Sequence, residues 1–123
     1  MKNILIATDF SKYSIEAVNY VTYLVQRLQE SCHILLLNTY LIPFDTSKEK
    51  LIEVKSRIDC VLKGKSITIE TISQIGSLHN VILNIIDIKP INMVVMAACG
   101  GDYLSKIAKV LKEKQRLTLL VTY

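Results

Sequence analysis

The chain has 123 residues, of which 50% are hydrophobic and 21% charged, and its formal net charge is +4. This length fits a single domain spanning residues 1–123, and the composition excludes an intrinsically disordered chain. The longest apolar runs are strand-sized, well below the roughly 20 residues that a membrane-spanning helix needs. We therefore expect a globular protein without a membrane partner. The first residues lack a signal-peptide pattern, which predicts a cytoplasmic location.

The hydrophobic period alternates between strand and helix along the chain. It predicts strands at 2–8, 34–40, 66–72, 93–97 and 117–122, and helices at about 12–29, 46–62, the stretch after Gly76 and about 102–114. Ser11 can cap the first helix, and a capping-box pattern at 46–49 opens the second, which Gly64 ends. The inward stripe of the second helix is predicted to comprise Leu51, Val54, Ile58, Val61 and Leu62.

Alternating strands and helices with short connections imply parallel strands and right-handed crossovers. We therefore predict a doubly wound α/β fold, with one five-stranded parallel sheet and helices on both faces. Ligands bind such sheets beyond the carboxyl ends of the strands, where the strand order reverses. The strands that end at Asp9 and Ala97 are expected to flank that crevice.

The last predicted strand, 117–122, is apolar and contains no proline. Left as a bare edge it would promote aggregation. Pairing with the same strand of a second copy removes this hazard through a two-fold contact. We therefore predict a homodimer through strand 117–122.

The segment 91–102 passes from an apolar strand through a glycine-containing loop into a helix. Such a junction presents free backbone N–H groups where α/β proteins hold phosphates. Gly100 and Gly101 can cradle an anion there, or only permit a tight turn. Asp9 can contact a ribose or base, or cap the first helix together with Ser11.

The remaining chemistry-bearing residues give weaker signals. Near the end of the sequence, five basic residues are accompanied by only one acidic residue. The basic residues are Lys106, Lys109, Lys112, Lys114 and Arg116, and the acidic residue is Glu113. Such a run can attract nucleic acid or form the solvated face of the last helix. No aromatic side chains interleave with it, as single-strand binding needs, so we predict no nucleic-acid partner.

The dispersed cysteines, Cys32, Cys60 and Cys99, predict reduced thiols and no structural zinc site, with a redox role for Cys99 left open. His33 and His79 have no nucleophile or acid at motif spacing, so no hydrolytic set is formed.

Four segments in sequence order resemble the universal stress protein family over nearly the whole chain, namely residues 2–11, 69–86, 93–100 and 109–121. The resemblance implies an adenine nucleotide α-hydrolase-like fold, dimerisation through the last strand, and a role in stress response or regulation. It also implies a possible ligand, since many members bind ATP or AMP through the motif G-x2-G-x9-G-(S/T). Another branch of the family binds no nucleotide.

Carried over by position, the resemblance implies a nucleotide site made of Ala7, Thr8, Asp9, Asn38, Met96, Ala97, Gly100 and Gly101. Ala97 stands where the motif has its first glycine. The final Gly-Ser pair is absent, because ten positions after Gly100 the chain has Val110. Each charge-assisted hydrogen bond lost to a phosphate weakens binding by about 1.5–3 kcal/mol.

We therefore expect a homodimeric regulatory or stress-response module with weak or lost nucleotide binding, no cofactor of its own, and room for a protein partner. The alternative is a sensor that holds ATP or AMP with Mg²⁺ in the crevice between the first and fourth strands. An Asp9–Asp102 metal site would need firm phosphate binding first, so none is predicted. No general base, lysine clamp or arginine finger for phosphoryl transfer is evident, so an ATPase or other enzyme is not expected.

Overall fold

The computed structural model describes residues 2–28, 30–40, 47–98, 108–110, 112–113 and 117–122. Its elements in chain order are β1 (Lys2–Ala7), α1 (Lys12–Arg27), β2 (Cys32–Tyr40), α2 (Ser47–Val61), β3 (Ile67–Ile75), α3 (Leu78–Ile88), β4 (Met93–Ala98) and β5 (Leu117–Thr122). Residues 108–110 and 112–113 are also helical, and the rest of the fourth predicted helix lies outside the described residues.

The strands form one sheet in the order β3-β2-β1-β4-β5, and all four neighbouring pairs are parallel. The chain moves outward from β1 through β2 to β3, then crosses back to place β4 on the other side of β1. The strand order therefore reverses between β1 and β4. The parallel α/β arrangement predicted from the alternating hydrophobic period is confirmed.

Helices cover both faces of the sheet. Alternate residues of each buried strand point to opposite faces, so each strand packs against helices on both sides. On one face, α1 and α2 pack over Ile4, Ile6, Ile34 and Leu36. On the other face, α3 packs over Leu5, Leu35, Leu37 and Val94. The central strands are apolar on both faces for this reason.

Helix ends follow the local sequence signals where the structure describes them. Ser11 caps α1, since its side chain accepts a hydrogen bond from the Ser14 backbone N–H at 3.2 Å. Gly64 lies just beyond α2 in the left-handed region, with φ of +89°. Thr46, the first residue of the predicted capping box, lies outside the described residues.

Three details of the sequence prediction are wrong. Strand β2 was expected to begin at residue 34, but it begins at Cys32, which pairs with Lys2 of β1 and Ile67 of β3. Val61 and Leu62 were both expected to face the core; Leu62, just past the helix end, does so, but Val61 is 49% exposed. Strand β3 continues three residues beyond its predicted end. Its pairing with β2 runs as far as Tyr40 and Ile75, and the Gly76 N–H donates to the Tyr40 carbonyl at 3.0 Å. Long-range pairing decides this end, so the local pattern does not reveal it.

None of the helices among the described residues has the length and apolar character needed to cross a membrane.

Candidate functional site

The sheet splits at its carboxyl end between β1 and β4. The β1–β4 register contains only three pairs and stops at Ile6 and Val95. Pairing between β1 and β2 continues to Ala7 and Leu37, and pairing between β4 and β5 continues to Ala98 and Thr122. The two central strands thus separate where the strand order reverses, which is where parallel α/β sheets bind ligands.

The opposite end of the same strand pair is closed by asparagine side chains. The Asn3 N–H donates to Oδ1 of Asn92 at 2.8 Å, and the Asn92 N–H donates to the Asn3 carbonyl at 2.8 Å. Nδ2 of Asn3 donates to the Pro90 carbonyl at 3.0 Å. These bonds hold β1 and β4 together at their amino ends, so the crevice opens at one end only.

The loop from β1 to α1 forms the floor of the crevice and is organised by hydroxyl groups. The Thr8 side chain is buried, its Oγ1 lies 2.8 Å from Oγ of Ser14, and it accepts a hydrogen bond from the Phe10 N–H at 3.1 Å. Phe10 has a φ of +64°, a conformation that costs a non-glycine residue about 1–2 kcal/mol. Because its side chain packs against the α1–α2 core, burial offsets this cost.

Ser14 was not identified as a site residue from the sequence. It is only 2% exposed and its hydroxyl also donates to the Ser11 carbonyl at 3.2 Å. A serine three positions after a helix cap has no distinctive sequence signal. The Thr8–Ser14 contact depends on how the helix leaves the strand.

Asp9 is engaged in the turn before α1. Its Oδ1 accepts a hydrogen bond from the Ser11 N–H at 2.9 Å, while Ser11 itself provides the helix cap. Partial burial raises the pKa of Asp9, but hydrogen bonds from Ser11 and Ser14 outweigh that effect and hold the pKa below its ordinary value of 3.8. Although the residue as a whole remains exposed, this turn positions the Asp9 carboxylate at the crevice, where it is ionised at neutral pH. The structure thus places Asp9 in the turn that enters α1, and its predicted contact with a ribose or base stays a prediction.

Asn38 at the carboxyl end of β2 is 5% exposed and joins β2 to the β1 loop. Its Nδ2 donates to the Thr8 carbonyl at 2.7 Å. Because a carbonyl can only accept, this bond fixes which end of the amide carries the nitrogen. The Asn38 Oδ1 is left buried with no hydrogen-bond partner among the described residues.

The other predicted site residues divide into three groups. Ala7 and Met96 are 4% and 1% exposed, and both side chains belong to the core under α3, so they offer a ligand little beyond their backbone. Ala97 is part of β4 and pairs with Val121. Gly100 and Gly101 lie outside the described residues, as do Cys99 and Asp102. The structure therefore brings together Ala7, Thr8, Asp9 and Asn38, with β4 alongside.

His33 and Cys32 lie away from the crevice, which is at the carboxyl ends of the strands. His33 lies at the amino end of β2, with Nδ1 2.6 Å from Oγ1 of Thr68 and Nε2 3.4 Å from Oε2 of Glu70. Burial raises the pKa of the Cys32 thiol, and the Glu30 charge adds to the effect. Across the described ranges, no three His, Cys, Asp or Glu residues could hold a metal ion.

Comparison with known proteins finds likeness in three dimensions rather than in sequence. No family profile matches the chain, and no curated protein matches it by sequence. A universal stress protein in complex with cAMP is 15% identical with a TM-score of 0.75, and the match covers 98% of this chain and 96% of that one.

Two further matches carry the same family name. UspA from Lactobacillus plantarum is 17% identical with a TM-score of 0.60, covering 98% of this chain and 97% of that one. A universal stress protein family member from Arabidopsis thaliana, with AMP bound, is 14% identical with a TM-score of 0.67. That match covers 99% of this chain and 92% of the other.

These matches span both chains almost completely, so the likeness concerns the whole domain rather than one motif. The resemblance inferred from the sequence is thus confirmed by the three-dimensional comparison. At such low identity the shared feature is the architecture, and this chain has the fold of the universal stress proteins.

Proposed function

We propose that this protein is a cytoplasmic universal stress protein-like module that acts in regulation or stress response as a homodimer and binds nucleotide weakly or not at all. The fold supports the family assignment. In the crevice, Thr8 and Asp9 already have hydrogen-bond partners within the loop. Function on this proposal depends on contacts with a protein partner rather than on catalysis.

The observation that carries the weak-binding proposal is the position of Val110. In the family motif that position would have a glycine, followed by Ser or Thr, to contact the outer phosphates. In this chain Val110 is helical and packs against the core under α3. An apolar side chain offers a phosphate no hydrogen-bond donor. This favours a crevice that lacks the donors needed to hold a polyphosphate.

Titration calorimetry with ATP, ADP and AMP in the presence of Mg²⁺ tests this proposal. We expect no saturable binding below about 50 µM, which corresponds to a binding free energy near −6 kcal/mol. Tighter binding of any of the three nucleotides would contradict it. Phosphate release from ATP above background would contradict the expectation that the protein is not an enzyme.

A second candidate function, a sensor that holds an adenine nucleotide, is favoured by Asn38. Its unpartnered Oδ1 is an acceptor, and the exocyclic amino group of adenine is a donor that would satisfy it. Hypoxanthine has a carbonyl oxygen at the same ring position. If Asn38 contacts the base, AMP should bind at least about tenfold more tightly than IMP, a difference of roughly 1.4 kcal/mol. Equal affinities would exclude this contact.

A further inference from the structure

A second concave site lies away from the β1–β4 crevice, between the start of α2 and the edge strand β3. It is a cavity of about 200 Å³ lined by Lys48, Leu51, Ile52, Thr71 and Ser73. Strand β2 separates β3 from β1 in the sheet, so this cavity belongs to a different part of the domain. This volume is smaller than the roughly 300–1,000 Å³ of sites for drug-sized ligands and has room for a small organic ligand.

Ser73 gives this cavity an unsatisfied polar group. Its Oγ is buried and has no hydrogen-bond partner within the described part of the protein. Leaving a buried hydroxyl unpaired costs about 1–3 kcal/mol. Ser73 lines the cavity, so a turn of its side chain about the Cα–Cβ bond would bring the hydroxyl to a ligand atom that accepts a hydrogen bond, which would remove this cost.

The other lining residues specify the kind of ligand. Lys48 provides a positive charge, Thr71 a second hydroxyl group, and none of the described lining residues is acidic. Leu51 is almost fully buried beneath the cavity, whereas Ile52 is 60% exposed. An apolar chain lying on Ile52 would shield surface that is otherwise in water.

We propose that this cavity binds a small carboxylate with a short aliphatic chain. The carboxylate accepts a hydrogen bond from the Ser73 hydroxyl and pairs with the Lys48 ammonium group, while the chain packs on Leu51 and Ile52. One cation and two hydroxyls suit a single carboxylate and are too few to hold a polyphosphate. The site is independent of the β1–β4 crevice, so it stands or falls separately from any nucleotide binding there.

The test uses three probes of the same chain length, hexanoate, 1-hexanol and hexylammonium, in NMR titrations of the full chain labelled at backbone amides and at Ile and Leu methyl groups. Hexanoate should bind with a dissociation constant of about 1 mM, and its shift changes should be largest at Leu51, Ile52 and Ser73. Binding of hexanol should be at least about tenfold weaker, and hexylammonium should produce no saturable change, because Lys48 repels it. Hexylammonium binding as tight as hexanoate, or hexanoate shifts centred on Asp9 instead of Ser73, would overturn the proposal.

Matched variants complete the test. Ser73→Ala and Lys48→Gln should each weaken hexanoate binding about five- to tenfold. Ser66→Ala, in the turn before β3, and Lys63→Gln, beyond α2, are exposed controls that should leave it unchanged. Ser73→Ala removes an unpaired buried hydroxyl, so it should fold normally, and its amide spectrum will verify this. Unchanged hexanoate binding in folded Ser73→Ala and Lys48→Gln, or no hexanoate binding to the wild type, would disprove the site.

Discussion

The side-chain amide of Asn38 donates a 2.7 Å hydrogen bond to the backbone carbonyl of Thr8 and so joins the carboxyl ends of β2 and β1. The Thr8 N–H in turn donates to the Leu37 carbonyl at 2.9 Å, which extends the β1–β2 ladder by one residue. This pair of bonds fixes one side of the crevice. The other side, along β4, has no matching ladder pair with β1 beyond Val95 among the described residues.

Asn38→Ala should destabilise the protein by about 1–3 kcal/mol, because it leaves the Thr8 carbonyl without this donor. The simultaneous removal of the unpartnered Oδ1 offsets part of the cost. Urea unfolding followed by circular dichroism measures the free energy of unfolding. Asn84→Ala is the control, since Asn84 is exposed on α3. Equal effects of the two substitutions would show that the bond to Thr8 contributes nothing.

The pH dependence of stability should reflect Asp9. Its pKa in the folded protein is below the ordinary value of 3.8, so folding favours the ionised form. This contribution is fully present above about pH 4 and is lost as the pH falls through the folded-state pKa. Asp9→Asn should therefore show a smaller loss of unfolding free energy than the wild type as the pH falls from 5 to 2.5.

Asp59→Asn removes the same charge at an exposed position of α2 and serves as the control. We expect this variant to retain more of the wild-type pH dependence than Asp9→Asn does. A wild-type curve and an Asp9→Asn curve with identical slopes would show that Asp9 is not stabilised in its charged form. The unfolding free energies come from urea titrations at each pH.

The two described glycines with positive φ should differ in how well they tolerate alanine. Gly64 has a φ of +89° and open space around its Cβ position, so Gly64→Ala should cost about 1 kcal/mol. Gly76 has a φ of +134°, far from the left-handed region at about +57° that other residues can adopt, while an added Cβ would be at ordinary van der Waals distance, 3.4 Å, from Cγ2 of Val81. Gly76→Ala should therefore cost more, about 2–3 kcal/mol. Thermal and urea unfolding rank the two, and the reverse order would contradict this assignment of strain.

The two edge strands of the sheet differ in character, which underlies the proposed dimer. Strand β3 exposes polar residues, among them Thr68, Glu70 and Gln74, and so is protected against pairing. Strand β5, at the other end, has the sequence LTLLVT. We predict a species of about twice 13.9 kDa in sedimentation at micromolar concentration.

Leu119→Lys places a charge in the middle of β5 and should convert that dimer to a monomer. Thr68→Lys makes a similar change on β3 and should leave the dimer intact. A wild-type protein that sediments only as a monomer would refute dimerisation, and an intact Leu119→Lys dimer would exclude β5 as the interface.

The sequence by itself determined the alternating elements, the parallel arrangement and the position of the crevice. These follow from local information, because the hydrophobic period distinguishes strand from helix. Ser11 caps the start of α1, and Gly64 ends the turn after α2, through their own neighbouring backbone. The family resemblance added the fold by name and directed attention to Asn38.

Only the tertiary structure decided how the site residues are used. The unpartnered Oδ1 of Asn38, the Thr8–Ser14 hydroxyl contact and the buried Ser73 hydroxyl all depend on residues that are distant in the chain or on different elements. Even the end of β3 was set by its register with β2. Hydrogen-bond satisfaction is a property of packed neighbours, and a local sequence pattern does not specify which neighbours a side chain will have.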